Sequence, residues 1–243
     1  LKGLAKGNWP ERRVPAGVGG ISHLHGLRIP ADQQYAWLKI GEGCSNRCTY
    51  CTIPSIRGPL ISRPLDDLVN EAMFLAERGI KEIILVSQDT TRYGEDIWRR
   101  PALDRLLREL DARLPDDIWI RIMYFYADAI TDELIEVIAS SPRILNYIDM
   151  PVQHASDKIL KLMGRSENKA MIRERIVKLR ENLPGLILRT TVMVGFPGET
   201  DEDFAELLEF IKEVKFDRLG CFIFSPEEGT AALKLKGKVA SQT

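Results

Sequence analysis

From residue 35 onward, short runs rich in β-branched and aliphatic residues alternate with longer stretches in which apolar residues recur every three to four positions. The runs 35–40, 82–86, 118–123, 147–150, 187–194 and 219–224 read as strands. The stretches 65–78, 103–113, 132–139, 158–163, 169–182 and 201–214 read as helices. In the last of these, Phe204, Leu207, Leu208 and Ile211 follow the spacing of one buried face. Thr200 and Asp203 have capping-box spacing before it, and Asp201 and Glu202 add negative charge at the positive end of the helix dipole. Pro64 suits the first turn of 65–78, and Gly79 its exit.

Strand and helix alternating six times predict an α/β fold with a parallel sheet, a partial (βα)6 TIM-like barrel. In such folds the chemistry sits on the loops that follow the strands. Residues 1–34, with six glycines, three prolines and no sustained apolar period, read as a linker into the domain. His23 and His25 stand there as solvated loop residues rather than metal ligands.

Composition changes this picture little. Of 243 residues, 44% are apolar and 28% charged, an ordinary globular balance that excludes a disordered or collagenous chain. Lysine plus arginine (34) nearly equals aspartate plus glutamate (35), so a net charge of −1 gives no electrostatic case for bulk nucleic-acid binding or a polybasic membrane anchor. The longest aliphatic run, Ile83 to Val86, falls far short of a membrane span, and no signal peptide opens the chain; a cytoplasmic protein with no membrane partner is expected. The chain begins with Leu1 and ends without an evident stop, so a piece of a longer protein is expected.

The cysteines carry the strongest signal. Cys44, Cys48 and Cys51 form C-x3-C-x2-C directly after the first strand, and three thiols so close together in a reducing compartment read as metal ligands. Structural zinc wants four ligands, usually as two spaced pairs, and no second pair exists. An iron–sulfur cubane held by three thiolates leaves one iron open to a small molecule. Cys221, inside the apolar run 219–224, reads as a small core residue.

With Tyr50 preceding Cys51, the motif C-x3-C-x-aromatic-C resembles the hallmark of the radical S-adenosylmethionine (SAM) superfamily. Ile53-Pro-Ser-Ile-Arg-Gly58, Val86-Ser-Gln-Asp-Thr-Thr91, Pro151-Val-Gln-His-Ala-Ser-Asp157, Val194-Gly-Phe-Pro-Gly-Glu-Thr200 and Phe224-Ser-Pro-Glu-Glu-Gly-Thr230 narrow the resemblance to the methylthiotransferases. Gln88-Asp-Thr-Thr91 and Gln153-His-Ala-Ser156 are more similar to the group that modifies a ribosomal-protein aspartate than to the tRNA-modifying group.

The resemblance covers about residues 35–232. It implies a radical SAM core there, preceded by a linker (1–34) from an N-terminal methylthiotransferase domain carrying three further cysteines and a second [4Fe-4S] cluster. It also implies that 233–243 leads toward a small C-terminal barrel, the TRAM domain. Neither flank lies in these residues, so this stretch alone is expected to cleave SAM without completing methylthio transfer.

The resemblance further implies that Cys44, Cys48 and Cys51 hold a [4Fe-4S] cluster whose open iron takes the amino and carboxylate groups of SAM. Cleavage then yields a 5′-deoxyadenosyl radical that abstracts hydrogen from the β-carbon of an aspartate in small-subunit ribosomal protein twelve. A reductant such as flavodoxin or ferredoxin would supply the electron. Tyr50, Gln88, Asp89, Gln153, Arg165, Gly195, Glu199, Phe224 and Ser225 become the candidate SAM contacts: Asp89 for the ammonium, Arg165 for the carboxylate, Phe224 and Ser225 for the adenine. His154 is either a pocket donor or a structural histidine. Ala127 stands where the family often has proline, with local backbone consequences expected. Two alternatives stay open: a tRNA adenosine methylthiotransferase, and a non-catalytic iron–sulfur or zinc module.

Overall fold

The computed structural model describes residues 33–239. His23, His25, the proposed linker apart from its last two residues, and residues 240–243 lie outside the described residues. Six strands form one parallel sheet: β1 (Tyr35–Lys39), β4 (Glu82–Val86), β5 (Trp119–Ile122), β6 (Ile144–Asp149), β7 (Ile187–Val194) and β8 (Arg218–Ile223), side by side in that order. A two-residue antiparallel ladder, β2 (Gly41–Glu42) with β3 (Ile61–Ser62), closes the loop after β1.

Each crossover advances one strand in the same direction, and right-handed crossovers therefore place every helix on the same side. These helices are α2 (Leu65–Glu77), α4 (Leu103–Arg113), α5 (Asp132–Ser140), α6 (Asp157–Leu162), α7 (Lys169–Asn182) and α8 (Asp201–Val214), with the short α1 (Ile53–Arg57) and α3 (Glu95–Trp98) in loops. The helix-side residues Leu38, Ile83, Leu85, Ile120, Ile122, Ile148, Leu188 and Val192 are buried against Leu68 and Leu75 of α2, Leu106 and Leu110 of α4, and their counterparts further along. The opposite, inner face alternates with them and stays partly open: Trp37 and Trp119 are each more than half exposed. β1 and β8 do not pair, so the structure is an open six-stranded partial barrel, as the repeat pattern predicts.

Two expectations fail at the open edge. Cys221 is exposed, because β8 is an edge strand with no helix laid over its outer side. Phe204 and Leu208 are also about 40% exposed; α8 instead buries Asp203, Leu207, Phe210 and Val214. Both sets have helical spacing, and only the tertiary position of α8 chooses between them. Pro64 is the N-cap of α2 rather than its first helical residue. The strand expected at 147–150 begins earlier, at Ile144.

The capping box of α8 forms as predicted, with Thr200 Oγ1 accepting from the Asp203 N–H and Asp203 accepting from the Thr200 N–H (2.9 Å). Asp203 also accepts from Ser156 Oγ (2.7 Å) and pairs with Lys158. Burial alone would raise its pKa, but the bonds from Lys158, Ser156 and Thr200 outweigh this and hold the carboxyl well below the usual carboxylate range. A carboxyl depressed by folding stabilises the protein above its unfolded pKa and loses that contribution as pH falls through the folded value. Asp203→Asn is therefore expected to cost about 1 kcal/mol at pH 7. It should also flatten the fall in melting temperature below about pH 4, read by circular dichroism across a pH series.

Candidate functional site

The loops that follow all six strands leave the same end of the sheet, which brings together residues far apart in sequence. The loop after β1 carries the three cysteines: Cys44 is buried, while Cys48 and Cys51 are partly buried. Gly43 enters it with φ of +73°, and a Cβ there would lie 2.2 Å from the Pro59 carbonyl oxygen. The Cys44 N–H donates to Gly58 O (3.0 Å), so the returning chain clamps the start of the loop. Gly43→Ala is expected to displace this clamp, cost about 1–3 kcal/mol and reduce iron uptake on reconstitution, read by melting temperature and iron assay.

The other side of the loop is pinned by Thr49. Its N–H donates to Met163 O (2.8 Å), its hydroxyl to Leu162 O (2.7 Å), and its carbonyl accepts from the Ala232 N–H (2.8 Å). Gly164, with φ of +70°, lets the end of α6 approach so closely that a Cβ would sit 2.6 Å from Arg47 O.

The surroundings of two of the thiols favour the protonated form. Burial pushes the Cys44 thiol up, and Asp89, Cys48 and Cys51 add to this while a backbone N–H at Asn46 opposes it. Burial likewise raises Cys51, opposed by the Ile53 N–H that donates to its sulfur (3.4 Å) and reinforced by Cys48. A bound cationic group would have to displace these protons, and its charge would offset the repulsion between the resulting thiolates. Among the described residues, no three His, Cys, Asp or Glu side chains converge on a position for a single metal ion.

Beside this loop lies a cavity of about 750 Å³, lined by Asn46, Cys48, Arg92, Tyr126, Arg165 and Glu167 among others. Arg165, which follows α6, has a side chain only 1% exposed and stacks over the Tyr126 ring (4.3 Å). Its Nη2 donates to Pro151 O (2.9 Å) and to Glu167 Oε1 (3.0 Å), while Nε faces Glu167 Oε2 at 2.8 Å. Burial opposes its charge, but Glu167 and the neighbouring Tyr126, Tyr50 and Cys48 outweigh that, so Arg165 stays cationic. Its Nη1 is buried without a hydrogen-bond partner. Glu167 also accepts from the Ala127 N–H (3.1 Å). The departure at Ala127 thus has a definite consequence, because proline has no N–H to give.

Asp89 is 2% exposed and fully engaged: it accepts from Asn46 Nδ2 (2.8 Å), Thr91 Oγ1 (2.6 Å) and the Arg92 N–H (3.3 Å), and it pairs with Arg92 Nε (3.1 Å). Thr91 Oγ1 in turn accepts from the Tyr126 N–H (3.1 Å). Asp89 therefore braces the cysteine loop against the loops after β4 and β5. Gln88 beside it is exposed.

The remaining candidates divide. Gln153 has a left-handed backbone, φ +66°, held by its N–H to Thr191 O (2.9 Å) and by the Met193 N–H to its carbonyl (2.7 Å). Strain of this kind in a non-glycine residue costs on the order of 1–3 kcal/mol and persists only where its surroundings hold it. Tyr124, at the end of β5, shows the same conformation, φ +62°. Tyr50 and Phe224 sit on either side of Phe196, with ring centroids 6.2 and 5.0 Å away, in an apolar cluster with Ile159, Met163 and Ala232.

Gly195 has φ of +73°, and Ser225 is exposed. Glu199 Oε2 accepts from the Phe196 N–H (2.9 Å), and its Oε1 lies 3.6 Å from Nε2 of the fully buried His154. His154 Nδ1 accepts from the Ser156 N–H (3.0 Å), and its Nε2 has no hydrogen-bond partner. Of the predicted site residues, Cys48 and Arg165 line the cavity; Cys44, Tyr50, Cys51, Gln88, Asp89, Gln153, Gly195, Glu199, Phe224 and Ser225 lie outside its lining. Sequence reading missed Asn46, Thr49, Arg92, Tyr126 and Glu167.

Curated relatives resemble most of this chain. It is 50% identical over 235 residues to the ribosomal protein uS12 methylthiotransferase RimO of Alkaliphilus oremlandii, covering 96% of this chain and 53% of that protein. The RimO of Clostridioides difficile is 52% identical over 211 residues, covering 87% and 47%. The chain thus spans about half the length of these relatives. Among solved structures, coproporphyrinogen III oxidase (HemN) from Escherichia coli, a radical SAM enzyme, superposes with a TM-score of 0.66 at 18% identity over 92% of this chain and 52% of that one. The radical S-adenosylmethionine methyltransferase TsrM from Kitasatospora setae, solved with cobalamin and a [4Fe-4S] cluster, gives 0.64 at 19% identity over 78% and 36%. At these identities the two structures speak for the fold alone. Residues 38–211, most of the chain and all of the cysteine loop, match the Radical SAM superfamily, and the chain belongs to that family.

Proposed function

We propose that this chain is the radical-generating core of a methylthiotransferase that modifies an aspartate of ribosomal protein uS12. The observation that carries the reading is the conjunction, at one cavity, of the three-cysteine loop with a buried arginine whose Nη1 has no hydrogen-bond partner among the described residues. Relatives named for uS12 at about 50% identity support the substrate. When bound, a [4Fe-4S] cluster supplies the electron for SAM cleavage.

In this reading Cys44, Cys48 and Cys51 are the cluster ligands. Arg165 is fixed by Glu167, Pro151 and Tyr126, so that its remaining donor is oriented for the SAM carboxylate. Asp89 acts at one remove, holding Asn46 and hence the loop. Gln88, exposed just after β4, and Gln153, strained into its conformation, are the candidates for the SAM amino group and ribose. Tyr50 and Phe224 pack on Phe196 outside the cavity lining, and with Gly195, Glu199 and Ser225 of the loops after β7 and β8 they are the further proposed SAM contacts. The electron donor is a small flavin or iron–sulfur protein such as flavodoxin or ferredoxin. Residues 35–232 are the core domain, flanked in the whole protein by a linker from the second-cluster domain and by the link to a TRAM domain. A cytoplasmic location follows from a ribosomal substrate; among the described residues no helix is long and apolar enough to cross a membrane.

Electron paramagnetic resonance of the reconstituted, reduced protein tests the reading. SAM is expected to change the cluster spectrum, because a new ligand enters the shell of the open iron. An unchanged spectrum at saturating SAM would refute it.

A further inference from the structure

Parallel sheets in α/β proteins are usually covered on both faces, yet here the inner face is open. The residues it presents follow from register. Asp149, Arg189 and Arg218 are neighbours on β6, β7 and β8, and Tyr147 and Ile187 lie two residues earlier on the same face. Arg121 reaches this face from β5, its guanidinium 4.6 Å over the Tyr147 ring, and pairs with Glu82. The surroundings of the Tyr147 hydroxyl confirm the convergence: Asp149, Arg189, Arg121 and Arg218 all act on it electrostatically.

Like charges side by side on neighbouring strands destabilise a sheet unless something neutralises them. Arg189 is paired with the fully buried Asp149, whose other oxygen accepts from the N–H of the strained Tyr124 (3.3 Å). Arg218 is exposed, and its side chain makes no hydrogen bond or ion pair among the described residues. The next inward positions toward the cysteine end are Thr191 and Gly220, side by side and small, so the space above the two guanidiniums is not filled by the sheet itself. Above these come Met193 and Phe222.

We infer that Arg189 and Arg218 form a receptor on the open inner face for the side-chain carboxylate of an acidic residue in a peptide substrate. Asp149 holds the Arg189 guanidinium in place, and Arg218 supplies a charge that no described residue neutralises. Guanidiniums suit this task because their planar donors match a carboxylate two-pronged. The inference rests on the proposed aspartate substrate and names the residues that would select it over asparagine.

Trp37 and Trp119, on the same inner face, serve as fluorescent reporters. The anaerobically reconstituted protein is titrated with acetyl-Gly-Asp-Gly-amide and acetyl-Gly-Asn-Gly-amide. The aspartyl peptide is expected to bind roughly tenfold more tightly, the factor expected of a charge-assisted hydrogen bond. Arg218→Ala should reduce that preference to within about twofold, while Arg218→Lys should retain part of it. Arg108→Ala, on the helix side, removes one charge elsewhere and should leave the preference intact. Because Arg218 lies on an exposed edge strand, its replacement leaves the buried core untouched. No preference in the unsubstituted protein, a preference that survives Arg218→Ala, or acetate binding as tightly as the peptide would each overturn the inference. Deoxyadenosine release by the unsubstituted protein, measured in parallel without peptide, reports separately on the proposed radical chemistry.

Discussion

Cys48→Ala is expected to abolish SAM cleavage and leave the protein folded. Cys48 lies partly exposed at the cavity beside the Tyr50 hydroxyl, and the loop is clamped through Gly43, Cys44 and Thr49. Its loss therefore removes a ligand without dismantling the scaffold. Substituting groups that merely orient a metal ligand costs about 10–100-fold, so removing a ligand outright should cost at least about 100-fold in deoxyadenosine formation. Iron per chain should fall well below that of the unsubstituted protein after identical reconstitution, with an unchanged far-ultraviolet dichroism spectrum. Full iron loading in Cys48→Ala would remove Cys48 from the ligand set.

Glu167→Ala is expected to have the largest effect on stability. It leaves Arg165, with a side chain 1% exposed, as an uncompensated buried charge, and breaking such a pair costs about 3–5 kcal/mol. At roughly 2–4 °C per kcal/mol for a domain of this size, the melting temperature should fall by at least about 6 °C. Replacing both residues by leucine removes the buried charge altogether and is expected to be milder than Glu167→Ala alone. The same single substitution frees the Ala127 N–H and lets Arg165 swing, so the concentration of SAM needed for half-maximal spectral change should rise as well. A fall of less than 2 °C would show that the pair contributes little.

How much of this was legible in the sequence depends on where each partner lies. The strands were readable because each carries its own apolar period, and the α8 cap because Thr200 and Asp203 are three residues apart. The cysteine loop was readable because its three cysteines fall within eight residues. The bracing role of Asp89 was not legible because the partner that engages it, Asn46, lies 43 residues earlier. Glu167 stands in the polar run Ser166-Glu-Asn-Lys169, indistinguishable from a solvated turn until the fold brings Arg165 and Ala127 against it. Cys221 misled because an apolar strand at a sheet edge has the same sequence as one in the middle. Local chemistry was written locally; commitments made across loops were not.

The most direct test of the account is chromatographic: the anaerobically reconstituted chain is given reductant and SAM, and 5′-deoxyadenosine is measured, with Cys48→Ala in parallel. The account predicts deoxyadenosine from the unsubstituted protein and none above background from the variant. An intact iron–sulfur cluster that yields no deoxyadenosine, or equal yields from both proteins, would contradict it.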